Sequence, residues 1–145
     1  MVTLKQKELV QSSFALVAAI GDDAAVLFYK KLFELDPGLR PMFKADMAEQ
    51  RTKLLQMLTA AVKGLDRLEQ LVPVVQDLGR RHGRYGVTDG HYATVAEALL
   101  WTLEAGLGKA FTPDVRDAWV AVYTLLATTM QQAAKDALKE EPVGA

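Results

Sequence analysis

The apolar residues of this chain recur with the period of an α-helix from the first residues to the last. In one stripe, Leu71, Val74, Val75, Leu78 and His82 are spaced so that they share a single helical face. No segment alternates apolar and polar residues over the length of a strand. The pattern therefore predicts an all-α fold of about six to eight helices.

Local signals indicate where several of these helices begin and end. Thr3 and Gln6 form a capping box before the first stripe, and Asp22 can cap the second helix. A third long helix is expected over about 47–62, and Thr112 precedes a proline at the start of the last helix.

Length and composition narrow the class of protein. The 145 residues suggest one domain over 1–145, with a disordered tail from about residue 139. The absence of cysteine excludes disulfides, thiolate metal sites and cysteine nucleophiles. A net charge of −1 without a basic run argues against a nucleic-acid partner. No apolar run is long enough to span a membrane and no signal-peptide pattern is present, so we expect a cytoplasmic protein without a membrane partner.

His82 is one of only two histidines, and its stripe places the imidazole on an inward helical face. Imidazole is the side chain best suited to bind a metal at neutral pH. His82 could hold a metal, perform acid–base work, or simply donate a hydrogen bond to a carbonyl inside the core. The residue taken alone favours the last of these.

Two other polar residues interrupt inward stripes. Tyr29 lies on the inward face of the second helix, and Gln50 lies one turn before Leu54 on the third. A buried polar group costs free energy unless it is hydrogen-bonded, so these groups could meet around a small site. Alternatively, Tyr29 is a core aromatic and Gln50 faces water at a helix edge. Ser12 and Ser13 are more typical of solvated helix residues than of nucleophiles.

Most metal and enzyme motifs are missing from the sequence. No second histidine lies three or four residues from His82, and neither a Glu-x-x-His motif, a GxSxG motif nor a P-loop occurs. One inward histidine in an all-α domain with aromatic residues fits haem, which needs an axial imidazole and an apolar slot.

The order of the residues resembles that of globins from roughly residue 4 to residue 135. The resemblance rests on three segments: Phe28-Tyr29-Lys30-Lys31-Leu32-Phe33 with Pro41-Met42-Phe43, then Leu78-Gly79-Arg80-Arg81-His82, and finally Phe111-Thr112-Pro113. This order of residues resembles that of bacterial single-domain haemoglobins and of the globin domain of flavohaemoglobins. Neuroglobins share the Leu-Gly-Arg-x-His pattern more distantly.

This resemblance implies a globin fold around one haem pocket that holds haem b. It makes His82 the iron ligand, Phe43 the residue packed on the haem, and Tyr29, Gln50 and Leu54 the residues beside the bound gas. The other haem contacts that it implies are Lys53, Leu78, Arg81, Val87, His91, Tyr92 and Val95.

The implied function is reversible, high-affinity binding of oxygen at ferrous iron, with nitric oxide and carbon monoxide as further ligands. The alternatives are nitric oxide dioxygenation, which would require a separate reductase, and gas sensing. Flavohaemoglobins carry a glutamate in the last helix that supports the proximal histidine, whereas the matching position here is Ala134. The absence of this glutamate predicts a more neutral His82 imidazole and argues against strong peroxidase-like chemistry.

Overall fold

The computed structural model describes residues 2–43, 46–84 and 86–140, and in these ranges the chain is helical without any strand. Six α-helices are present: α1 (Leu4–Ile20), α2 (Asp22–Leu35), α3 (Met47–Gly64), α4 (Leu68–Arg84), α5 (Asp89–Leu107) and α6 (Pro113–Glu140). Two short 3-10 helices, Pro37–Met42 and Gly108–Ala110, connect them. The all-α prediction is therefore confirmed. Residues 141–145 lie outside the described residues, and the disordered tail stays a prediction.

The local sequence signals correctly mark the start of α1 but not the cap of α2. The side chain of Thr3 accepts from the Gln6 amide and Gln6 returns the bond, so α1 begins with the predicted capping box. Asp22 is an exception, because α2 is preceded by Gly21 and shows no side-chain cap. Asp22 instead forms an ion pair with Arg51 of α3 at 2.9 Å, and this partner could not be read from the local sequence.

Helix α4 packs mainly against α6, and this contact decides which face of α4 is buried. Leu71, Val75 and Gly79 are buried at four-residue spacing, whereas Val74 is 60% exposed. The prediction that Val74 faces inward is wrong, because a residue next to Val75 is turned about 100° away from the α6 contact.

Apolar side chains form two clusters. One contains residues of all six α-helices and includes Phe14, Leu103 and Trp119. The second lies where α2, the first 3-10 helix, α3 and α5 meet, and it contains Tyr29. We call this second group the Tyr29 cluster; its members are Phe28, Tyr29, Leu32, Leu39 and Ala98, with Phe33, Met42, Phe43, Met47, Leu54, Val95 and Leu99 packed against them.

Length and apolar composition decide whether a described helix could span a membrane. None of them is by itself both long and apolar enough to cross one. Only α1 and α2 taken together, which meet at a bend of 99°, reach the required length and composition.

Candidate functional site

Tyr29 lies in the middle of α2, and aromatic rings enclose it. Its ring stacks on Phe33 at a centroid distance of 5.9 Å and meets Phe43 edge-on at 5.5 Å. Phe28 approaches edge-on at 5.1 Å. Burial raises the pKa of the Tyr29 hydroxyl above its usual value of 10.0, and hydrogen bonding from the neighbouring Gln50 amide partly opposes this shift. The hydroxyl is therefore a neutral donor at physiological pH.

Helix α3 brings two further predicted residues to the same place. Gln50 is half-buried beside the Tyr29 hydroxyl, and Leu54, one turn later, packs against the Tyr29 cluster. The structure thus brings Tyr29, Gln50, Phe43 and Leu54, which are four of the predicted site residues, together in one mainly apolar cluster with two hydrogen-bonding groups. One sequence-based alternative placed Gln50 in water at a helix edge, whereas the structure shows it half-buried.

His82 lies near the C-terminal end of α4 and is half-buried. Its Nδ1 lies 2.8 Å from the carbonyl oxygen of Leu78, one helical turn earlier. A neutral imidazole that donates from Nδ1 keeps the lone pair of Nε2 free to bind a metal. Burial is the main cause that lowers the pKa of His82; the bond to Leu78 opposes it and the Arg81 charge adds to it. The neutral form required of a metal ligand is therefore favoured.

The segment after His82 leads from α4 to the Tyr29 cluster. The Val87 amide donates to the His82 carbonyl oxygen at 3.1 Å, and α5 begins two residues later. On α5, Val95 packs against the Tyr29 cluster, and Tyr92 lies three residues earlier on the same side of the helix. Helix α5 therefore connects the segment that follows His82 with the Tyr29 cluster.

His91 has a structural task at the start of α5. Its Nδ1 accepts from the Thr88 amide at 3.0 Å, which completes a capping box. Lys53 and Arg81 lie on the surface, with side chains 60% and 50% exposed, and each pairs at 3.3 Å with a carboxylate four residues earlier on its own helix. The predicted haem contacts of all three residues, like that of half-buried Leu78, stay predictions.

Ala134 lies on the face of α6 that packs against α4 at Gly83. A methyl group added to Gly83, the residue after His82, would come within 3.1 Å of the Ala134 Cβ. No carboxylate therefore stands at this position, and the described partner of the imidazole is the peptide carbonyl of Leu78.

The donor set around His82 restricts what kind of metal group could bind. Among the residues that the structure describes, no three His, Cys, Asp or Glu side chains converge on a possible metal site. One half-buried imidazole without two further side-chain ligands fits a metal that brings its other ligands with it, as haem does.

Sequence reasoning missed three features of this region. Phe33 stacks on Tyr29, whereas in the sequence it is only one member of the globin-like segment 28–33. The Tyr123 hydroxyl donates to the Tyr92 carbonyl oxygen at 2.6 Å, which ties α6 to α5. The Asp22–Arg51 ion pair joins α2 to α3. Spacing on one helix cannot show contacts between helices, and no local motif marks these residues.

A family comparison now identifies the class of protein. The globin family model matches residues 26–130. This chain belongs to the globin family. Neuroglobin from Chaenocephalus aceratus is 32% identical over 142 residues, which cover 88% of this chain and 89% of that protein. The flavohemoprotein of Bacillus subtilis (strain 168) is 30% identical over 139 residues, which cover 94% of this chain but only 35% of the flavohemoprotein.

Solved structures support the same fold. An engineered carbene transferase, described as a putative nitric oxide dioxygenase from Rhodothermus marinus, superimposes with a TM-score of 0.85 at 24% identity, covering 96% of this globin and 97% of that chain. A bacterial globin from Campylobacter jejuni has a TM-score of 0.81 at 24% identity, covering 95% and 100%. At these identities, the two structures speak for the fold alone.

Proposed function

We propose that this globin binds haem b through the Nε2 atom of His82 and binds oxygen reversibly and with high affinity. The observation that carries the proposal is the 2.8 Å contact between His82 Nδ1 and the Leu78 carbonyl, which directs the second imidazole nitrogen away from its own helix. When bound, the haem supplies a ferrous iron that can take up oxygen, nitric oxide or carbon monoxide.

Tyr29 and Gln50 are the groups that would hold the gas ligand. Both carry hydrogen-bond donors, and the raised pKa of Tyr29 keeps its proton in place at neutral pH. A hydrogen bond to a partly charged acceptor contributes about 1.5–3 kcal/mol, which corresponds to roughly a ten- to hundredfold slower release. The two donors need not add, because they can compete for one acceptor.

The apolar side chains around this pair exclude water. Phe43, Leu54 and Val95 pack against the buried members of the Tyr29 cluster. Hydrogen bonds in such a setting are stronger than in water because little solvent competes for the donors. Slow release suits scavenging or protection better than bulk delivery of oxygen.

The surroundings of the His82 imidazole differ from those expected in flavohaemoglobins. His82 contacts a peptide carbonyl, and Ala134 offers no charge to increase the basicity of the imidazole. A carboxylate in that place would make the ligand a stronger electron donor. A neutral imidazole favours reversible gas binding over peroxidase-like chemistry.

Oxygen dissociation rates test the distal pair. Tyr29→Phe and Gln50→Leu should each release oxygen faster, by up to roughly a hundredfold, in stopped-flow displacement by carbon monoxide. Gln56→Leu makes the same change at an exposed position of α3 and should leave the rate unchanged. Unaltered rates in both single variants and in the double variant would rule out the pair.

A second candidate is nitric oxide dioxygenation, in which nitric oxide, oxygen and one electron give nitrate. The similarity to the globin part of a flavohemoprotein favours it, and a separate reductase would deliver the electron. Sustained consumption of nitric oxide over many turnovers, with a flavin reductase and a nicotinamide reductant added, would support this activity. A single turnover would not distinguish it from simple oxygen binding.

A further inference from the structure

The two halves of helix α3 are held in different ways. Val62, near the C-terminal end, is its buried residue, and the Val62 carbonyl accepts from the Gln11 side chain of α1 at 3.2 Å. Just beyond the helix, Asp66 pairs with Lys7 of α1 at 3.0 Å. The second half of α3 is therefore fixed to α1 by both burial and polar contacts.

The first half of α3, which carries Gln50 and Leu54, has a different attachment. Its side chains there are half-buried or exposed, and among the described ion pairs only Arg51–Asp22 joins it to another helix. The Arg51 Nε lies 2.9 Å from the Asp22 Oδ1, with side chains 24% and 58% exposed.

The ion pair lies on the helices that carry the candidate site residues. Arg51 follows Gln50 directly and precedes Leu54 by three residues, so it lies on the same side of α3 as Leu54. Asp22 precedes Tyr29 by two helical turns and shares its face of α2. The ion pair therefore joins the same two helices, and the same facing sides, that carry Tyr29 and its neighbours.

We propose that the Asp22–Arg51 ion pair is a latch that holds the first half of α3 against α2 and thereby sets the position of Gln50 relative to Tyr29. Arg51 and Asp22 are positioning residues in this account, since neither contacts the gas ligand. The predicted effect on oxygen release rests on the proposed oxygen-binding function, whereas the attachment of α3 to α2 does not depend on that function.

Hydrogen exchange of the full chain tests the attachment directly. Asp22→Asn and Arg51→Gln should each speed exchange of the amides over 50–58 by about 1.5- to 5-fold, the range that loss of an exposed ion pair allows. Arg51→Lys keeps the charge and should restore most of the protection. Asp66→Asn is the matched control, because it breaks a pair with Lys7 of α1 of equal carboxylate exposure, 58%, just beyond the other end of α3. It should leave 50–58 unchanged.

Oxygen dissociation in the haem-loaded protein tests the positioning. Asp22→Asn, Arg51→Gln and the double variant should all release oxygen faster by the same factor of about 1.5 to 5, because either change breaks the one pair. Raising sodium chloride from about 0.05 M to about 1 M should speed release in the natural chain but not in Arg51→Gln. Asp66→Asn should behave like the natural chain.

The two measurements separate the possible failures. Unchanged exchange over 50–58 in both latch variants overturns the latch. Faster exchange with unchanged oxygen release overturns the positioning of Gln50. If the natural chain forms no oxygen complex, the proposed function fails, and the exchange measurement still decides whether the latch exists.

Discussion

At the scale of single residues, burial sets the charge of the tyrosines around the candidate site. The pKa values of Tyr29, Tyr92 and Tyr123 are all raised, in each case mainly because burial disfavours the phenolate. For Tyr92 the Asp89 charge adds to the shift. All three hydroxyls therefore stay protonated well beyond neutral pH.

The raised pKa of Tyr123 predicts how the free energy of unfolding changes at alkaline pH. The unfolded chain loses a tyrosine proton near pH 10, whereas folded Tyr123 keeps it, so the free energy of unfolding falls as the pH rises above about 10. Tyr123→Phe should make this fall less steep. At pH 7 the same variant should lose about 0.5–1.5 kcal/mol, because the 2.6 Å bond to the Tyr92 carbonyl is gone. Urea unfolding between pH 7 and 11 measures both effects, and equal slopes above pH 10 would contradict the assignment.

At the scale of elements, the position of His82 depends on how closely α4 approaches α6. A Cβ atom at Gly79 would collide with the backbone of Met130, and one at Gly83 would touch the Ala134 side chain at 3.1 Å. Glycines one turn apart, three residues before His82 and directly after it, therefore let the two helices cross at short range.

The close crossing predicts that Gly79→Ala is destabilising. The added methyl group meets backbone atoms that cannot rotate away, and overpacking of this kind costs about 1–3 kcal/mol. Gly90→Ala in α5 is the control, because its methyl group would stand at an ordinary 3.7 Å from the Thr88 hydroxyl oxygen. We expect Gly90→Ala to be neutral or to gain up to about 1 kcal/mol of helix propensity. Thermal unfolding that ranks the two variants in the opposite order would contradict the account.

Helix positions could be predicted from the sequence because they depend on local patterns. The Thr3 capping box and the expected helix over about 47–62 needed only neighbouring residues. The exposure of Val74 and the pairing of Asp22 depend on which helix lies opposite, and a stripe on one helix carries no such information. The same limit applies to the candidate site: its residues could be named from the globin resemblance, but the Asp22–Arg51 contact could not.

At the scale of the whole molecule, one buried hydrogen bond joins the first helix to the last. Trp119 Nε1 donates to the Ser13 hydroxyl at 2.9 Å across a separation of 106 residues. Ser13 is 5% exposed, so the expectation of a solvated serine is wrong at this position. It is buried because Phe14 and Trp119 pack together in the main core, with ring centroids 6.2 Å apart.

The neighbouring serine offers a matched comparison. Ser13→Ala leaves the buried indole N–H without its acceptor and should lower the free energy of unfolding by about 1–3 kcal/mol. Ser12 is exposed and donates only to the Glu8 carbonyl within α1, so Ser12→Ala should change stability by less than about 0.5 kcal/mol. Chemical denaturation of the two variants measures the difference, and equal midpoints would show that the bond across the fold contributes nothing.

The proposed function depends on His82 as the residue that holds the haem iron. The most direct test is the absorption spectrum of the haem-loaded protein, recorded with and without oxygen for the natural chain and for His82→Gly. We expect the natural chain to show a Soret band and a reversible oxygen spectrum, the variant to lose the imidazole-bound spectrum, and added imidazole to restore it. A natural chain without a Soret band after haem addition, or a His82→Gly variant with an unchanged spectrum, would contradict the account.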